Sequence, residues 1–330
     1  MQTKKLIIDC DPGIDDSIAL MLALSCPELE VVGITTVCGN VPAELGAENA
    51  LKILKFMDRL DIPVYYGAEH PLKRDYVSAQ DTHGEDGLGE AGLEGVTEAR
   101  ARDGAVDFIL ETLNREENLT ILAIGPLTNV ALALQKEPEA FQRLDSFVSM
   151  GGSYKSHGNC SPVAEYNYWC DPHAAAYVYE HLGKKIRMVG LDVTRQIVLT
   201  PNLLEYMKNL DRNMGLFLES ITRFYFDFHW KQEGVIGCVI NDPLAVACLC
   251  RPEICRGFDA YTEVAVDGLC MGQTVVDAMD FWKKEPNTHV DTWTDPLEFM
   301  TFLITRLFGA GEDDVRKVLE QIMVTGGERK

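Results

Sequence analysis

Four carboxylates crowd the start of this chain: Asp9, Asp11, Asp15 and Asp16, in Asp9-Cys10-Asp11-Pro12-Gly13-Ile14-Asp15-Asp16. Acids held this close repel one another and lose hydration when buried, so something must offset the cost. Carboxylate and carbonyl oxygens suit a hard divalent cation, calcium or magnesium. The plainer reading is a helix N-cap, because Asp15 and Asp16 favour the positive end of a helix. Capping satisfies one or two acids and leaves the rest unpaired. Three known loops are excluded. An EF-hand would need Glu about eleven residues after Asp9, and that position is Leu20. A dinucleotide fingerprint needs three spaced glycines, and a P-loop needs Gly-Lys-Ser/Thr; only Gly13 is present. An aspartyl-phosphate phosphatase, with Asp9 or Asp11 as nucleophile, stays open at this point.

Further polar residues follow apolar runs and turns: Asn40 after Cys38-Gly39, Thr128 in Gly125-Pro126-Leu127-Thr128-Asn129, and Asn167. The segment Gly158 to Asn167 adds Asn159 and Glu165. Its mixture of amide donors, amide acceptors and one carboxylate suits vicinal hydroxyls, which both donate and accept. Turn chemistry by Asn is the alternative. Asp242, in Asn241-Asp242-Pro243, either caps the helix that Pro243 begins or is a further metal ligand from a remote segment.

The elements that must position these residues alternate. Leu6–Ile8 reads as a short buried strand, and Ser17–Leu24 as an apolar helix. Strands are expected over 30–37, 63–66, 119–124, 147–150 and 186–191, with helices over 43–57, 105–114 and up to Gln135. Residues 67–100 read as a long irregular loop with His83-Gly84 near its centre. Helices fill much of 200–251. A strand meander is expected over 261–267, 273–279 and 288–293, and helices close the chain. This pattern predicts one α/β domain over residues 1–330, with a mostly parallel, Rossmann-like open sheet flanked by helices. Its site would lie at the C-terminal ends of the strands, where the polar residues converge.

Composition narrows the partners. The 330 residues carry 30 basic and 51 acidic side chains, a net charge of -21. Such a surface disfavours nucleic acid and anionic membranes, and no apolar run reaches the roughly 18 residues of a membrane helix. The ten cysteines show no Cys-x-x-Cys pair, and Met1–Lys5 run straight into the first strand. The expectation is free thiols, no signal peptide and a cytoplasmic location.

The motif at Asp9–Asp16 resembles the amino-terminal signature of the inosine–uridine-preferring nucleoside hydrolases. The resemblance continues, in the family's order, through Gly39-Asn40, His83-Gly84, Gly125–Asn129, Met150-Gly151-Gly152, Asn159–Asn167 and Asp242-Pro243. It implies a calcium-dependent N-glycosidase of nucleoside salvage that splits a small-molecule ribonucleoside into ribose and base, as a homodimer or homotetramer. It further implies that Asp11, Asp16, the Thr128 carbonyl and Asp242 hold calcium, and that Asp11 is general base to the attacking water. Asp15, Asn40, Asn159, Glu165, Asn167 and the Met150 carbonyl would hold the ribose. One departure concerns the leaving base. Uridine- and inosine-cleaving members typically have His where this chain has Asn241, and Asn has no proton to give near neutral pH. His83, His157 and His229 are the candidate donors. Helical spacing puts Tyr225 and His229 on one face, and Tyr225 or Trp230 are candidates to stack on the base. Purine, pyrimidine and amine-bearing modified bases such as queuosine all remain candidates. A nucleoside-binding protein with little turnover is the third reading, given Asn241.

Overall fold

A computed structural model describes residues 3–323. Twelve strands run in chain order: β1 (Lys4–Cys10), β2 (Leu29–Thr36), β3 (Val64–Tyr66), β4 (Arg102–Asp103), β5 (Leu119–Ala123), β6 (Ser146–Met150), β7 (Ile186–Val189), β8 (Val198–Leu199), β9 (Cys238–Val239), β10 (Cys255–Val264), β11 (Thr274–Asp277) and β12 (Thr288–Thr294). Ten of them form one sheet in the order β11-β10-β12-β7-β6-β5-β1-β2-β3-β4, and β8 and β9 pair apart from it. From β4 to β12 all neighbours are parallel; β10 alone runs antiparallel, to β11 and β12.

The central strands are near-continuous apolar runs because both sheet faces are covered. Along β1, Leu6 and Ile8 pack into the core under one face while Ile7 packs into the core under the other. The first core takes in helices Ile14–Leu24, Asp242–Cys250 and Pro296–Phe308; the second takes in Ala105–Arg115, Thr128–Lys136 and Pro172–His181. Strand order reverses at β1, which has β2 on one side and β5 on the other. Chains leaving β1 and β5 diverge there and open a crevice beyond the strand ends.

The expected parallel sheet and its alternation hold; the short strands β4, β8 and β9 are additional to it, and there are three further differences. The first helix begins at Ile14, not Ser17, so Asp15 and Asp16 lie inside its first turn. The long loop contains a short helix, Gln80–His83, and His83 is buried rather than mobile. The late strands are not a meander: β10 lies between β11 and β12. Thr288, Val290 and Asp291 of β12 are buried, whereas β11 is half exposed. The more buried strand takes the interior place beside β7, and β11 becomes the edge.

Candidate active site

Pro12-Gly13 turns β1 into the helix Ile14–Leu24, and the turn folds the acids back on themselves. Asp16 Oδ2 accepts from Gly13 N at 3.1 Å, and Oδ1 accepts from Asp11 N at 3.2 Å. The capping reading is therefore correct for Asp16, but Asp16 does more. One of its oxygens lies within 4.8 Å of a carboxylate oxygen of Asp15 and one of Asp242. Asp242 makes no cap bond to its own helix, Asp242–Cys250. Asp11 joins the group through Asn40: the Asn40 backbone N donates to Asp11 Oδ2 at 2.6 Å, and Asn40 Nδ2 donates to Asp16 Oδ2 at 2.9 Å. Asp11 Oδ1 is buried with no partner.

Asp11, Asp15, Asp16, Asp242 and Glu165 are all at least 97 % buried. Among the described residues none of them has an ion-pair partner. Burial, then the neighbouring acids, pushes Asp11 and Asp242 well above the usual carboxylate range. Burial and Asp15 lift Asp16 to about 7, and burial lifts Glu165 to about 7 against three backbone donors. Asp9 is different. Its Oδ1 accepts from Thr35 Oγ1 at 2.5 Å and Asn129 Nδ2 at 2.8 Å, tying β1 to its surroundings. Those bonds tie Oδ1 to the sheet, while Asp9 Oδ2 is buried without a partner.

Two glycines make room for Asp11. A Cβ on Gly39 would lie 1.9 Å from Asp11 Oδ2, and one on Gly125 would lie 2.6 Å from Oδ1. Three residues past Gly125, Thr128 is fully buried and its hydroxyl donates to Asp171 Oδ2 at 2.8 Å. The side chain is thus spent on the scaffold, leaving the backbone carbonyl as its oxygen for other work.

Above the acids lies a cavity of about 560 Å³. Asp15, Asn40, Met150, Asn159, Glu165, Asn167, Tyr225, His83, His157, His229, Asn241 and Asp242 all line it. Most of the donors on these residues are already used. Asn167 Nδ2 donates to the carbonyls of Ile124 at 2.9 Å and Met150 at 3.2 Å, bridging the ends of β5 and β6. Glu165 caps the helix Tyr166–Cys170 and accepts from Gly152 N, Asn167 N and Tyr168 N. Asn241 donates from N and Nδ2 to Asp15 Oδ2, at 3.2 and 3.0 Å, and its Oδ1 has no partner. What remains facing the cavity is rich in acceptor oxygens. Asn159 sits at the exposed rim, its Oδ1 already accepting from Tyr166 N at 2.9 Å.

The two inner histidines carry opposite tautomers. His83 Nδ1 accepts from Ile14 N at 3.1 Å, so its proton is on Nε2. His229 Nδ1 faces the Tyr225 carbonyl at 2.9 Å and must donate, which leaves Nε2 a lone pair in the neutral ring. Burial lowers both from the usual histidine value. Tyr225 lies between them, with ring centroids 5.1 Å from His83 and 4.4 Å from His229. Trp230 is 59 % exposed and does not line the cavity, so it is removed as a stacking partner. Its neighbour His229 takes the inward helical position. His157 is exposed at the rim.

The inosine-uridine preferring nucleoside hydrolase family model matches residues 6–301. The chain belongs to that family. This nucleoside hydrolase is 37 % identical to the pyrimidine-specific ribonucleoside hydrolase RihA of Salmonella typhimurium, over 92 % of this chain and 97 % of that one. The solved plant nucleoside hydrolase PpNRh1 superposes with a TM-score of 0.89 at 31 % identity, covering 93 % and 99 % of the two chains. A purine-preferring ribonucleoside hydrolase from Gardnerella vaginalis gives 0.87 at 32 % identity, covering 96 % and 100 %. The enzyme is a hydrolase of N-glycosyl bonds in nucleosides. The phosphatase reading falls with this finding, and among the described residues no Lys lines the cavity. No described helix is long and apolar enough to cross a membrane.

Sequence reasoning missed the support. Tyr76 and Tyr166 both donate to the Gly39 carbonyl, at 2.9 and 2.7 Å. Asp192 accepts from the backbone N of Tyr154, Lys155 and Ser156 at 2.6, 2.7 and 3.0 Å. Arg195 donates to Ser156 Oγ at 2.5 Å and to the carbonyls of His157 and Gly158. No motif marks these residues, because each acts across the fold on another segment's backbone.

Proposed function

We propose that this nucleoside hydrolase cleaves ribonucleosides to ribose and free base with calcium held by Asp11, Asp16, Asp242 and the Thr128 carbonyl. One observation carries the reading: five buried carboxylates share no protein cation and lie under an acceptor-lined cavity. Hard oxygen donors from three segments, with one orphaned buried oxygen on Asp11, fit a calcium-type ion. Calcium, when bound, offsets the acids' repulsion and lowers the pKa of the attacking water.

Asp11 accepts that water's proton at Oδ1. Asp15, Asn40, Asn159, Glu165, Asn167 and the Met150 carbonyl hold the ribose hydroxyls. Cleavage builds positive charge on the sugar. A wall of carboxylates and amide oxygens, already oriented by backbone donors, stabilises that charge. Asn241 restrains Asp15 and gives no proton. His83 Nε2–H faces the leaving base, beside the Tyr225 ring, and His229 Nε2 offers an acceptor. A donor and an acceptor together suit a base edge carrying both a carbonyl and an N–H. The reading covers purines and pyrimidines, and an amine-bearing base such as queuosine suits Asp81 and Glu233 in the wall. A cytoplasmic enzyme of nucleoside salvage, assembled as a homodimer or homotetramer, completes the proposal. The ten free thiols support the compartment.

The test is a panel of uridine, cytidine, inosine, guanosine and queuosine, with free base and reducing sugar measured before and after chelation. The expected result is equal release of base and sugar, lost with chelator and restored by calcium. Undiminished turnover in chelator would remove the metal from the proposal.

A further inference from the structure

Two of the helices that carry the acids run side by side. Helix Ile14–Leu24 brings Asp15 and Asp16 from its first turn, and helix Asp242–Cys250 brings Asp242. Their far ends also meet. Cys26, just past the first helix, and Cys250, the last residue of the second, lie with their sulfurs and a Glu28 oxygen within 4.8 Å of one another. The helices are therefore parallel, with the acids at one end and two thiols at the other. From the geometry we infer that Cys26 and Cys250 form a reversible disulfide when the protein meets a hydroperoxide, clamping the feet of the two helices.

The surroundings favour thiol chemistry over a metal. Arg306 pairs with Glu28, and its positive charge repels a cation from the cluster. Lys4 Nζ donates to the Leu249 carbonyl at 2.8 Å and offsets the negative end of the second helix. Cys250 is half-buried, so a peroxide reaches it, and Cys26 is 98 % buried behind it. The Cys26 thiol holds the Cys250 thiol below its ordinary value, burial and Glu28 oppose this, and Arg306 and Lys4 assist. Thiolate character and access are what peroxide chemistry needs.

The step balances. The Cys250 thiolate attacks one peroxide oxygen, the O–O bond breaks, and Cys250 becomes a sulfenic acid as hydroxide leaves and takes a proton. The Cys26 sulfur then displaces the sulfenic oxygen as water. Two thiols lose two electrons, and hydrogen peroxide becomes two waters. A second pair, Cys248 and Cys255 beside Asp291, is a built-in comparison. All three residues are buried, and Asp291 is saturated by Arg187 at 2.8 and 3.2 Å. That pair has no route for peroxide and stays reduced.

The experiment treats the reduced, folded protein with hydrogen peroxide, alkylates the remaining thiols, digests without reductant and maps the peptides by mass spectrometry. The expected product is a peptide pair joining Cys26 to Cys250, about 2 Da lighter than the two thiols and reversed by dithiothreitol. In C26S, Cys250 should stop at a sulfenic acid that dimedone traps. The oxidised protein, without metal, should melt roughly 5 °C or more above the reduced one, and C250S should show no such gap. Alkylated Cys26 and Cys250 after a dose that oxidises exposed Cys160 and Cys270 would overturn the inference. So would a Cys248–Cys255 bridge in their place, an unchanged melting temperature, or stoichiometric zinc lost in C250S. None of these readouts depends on the ion or base the active site takes.

Discussion

At the scale of single residues, the site divides its atoms between scaffold and chemistry. Asp11 spends Oδ2 on the Asn40 backbone and keeps Oδ1 free. Asp11→Asn should lower kcat by roughly 10²-fold or more, because a positioned base contributes about that much. Turnover assayed at saturating calcium checks this, and an unchanged kcat would exclude Asp11 as the base. His83 is held in one tautomer by Ile14 N, with its proton on the side away from the helix. His83→Ala should slow natural nucleosides about 10²-fold and spare a nitrophenyl riboside, whose base leaves without help. His157→Ala, at the exposed rim, should change neither. Equal losses on both substrates would show that His83 holds the fold rather than the leaving base.

At the scale of elements, residues 153–158, of which His157 and Gly158 line the cavity, have no regular structure and are held by the short helix Leu191–Thr194 and its neighbour Arg195. Asp192 gathers three backbone donors, and Arg195 gathers three acceptors while lying 3.7 Å from Glu233 of helix Arg212–Glu233. One arginine thus joins two walls of the cavity. Arg195→Ala removes charge-assisted bonds worth about 1.5 kcal/mol or more each; with about one such bond's worth lost from substrate binding, KM should rise about tenfold while kcat changes little. Steady-state kinetics separates the two; a fall in kcat at constant KM would place Arg195 in the chemistry.

At the scale of the whole molecule, the buried acids govern stability. Burial raises Asp9 to about 6 and, with Asp15, Asp16 to about 7; burial raises Glu165 to about 7. Unfolded carboxylates titrate near 4. A raised carboxylate favours the folded state fully below the unfolded value, and that contribution is lost as pH rises through the folded value. The chelated protein should therefore melt progressively lower from about pH 4 to about pH 7, the reverse of ordinary acid denaturation. Calcium should restore most of the loss at neutral pH, since a bound cation favours the charged acids. Scanning calorimetry across pH, with and without calcium, measures both. A flat profile in chelator would mean the acids find another counter-charge.

The residue types of the site and the parallel α/β sheet were legible in the chain. An apolar run followed by a turn and an acid or amide marks a strand end, and strand ends of a parallel sheet share one edge. That logic groups Asp11, Asn40, Thr128 and Asn167 from the sequence, and leaves Asp242 open between a helix cap and a metal ligand. It could not separate Asp9 from Asp11, because both follow the same run; only the neighbouring Thr35 and Asn129 assign Asp9 to the sheet. Nor could it choose among the histidines. His83 reads as a loop residue, and its burial comes from packing against Tyr225, far away in sequence. The place of β10 between β11 and β12 was equally hidden, since strand order depends on which strand buries more surface. Local pattern records what a segment must bury or expose. Which distant segment it meets depends on the packing of the whole chain, and that decided the tautomers, the unpaired oxygens and the meeting of Cys26 with Cys250.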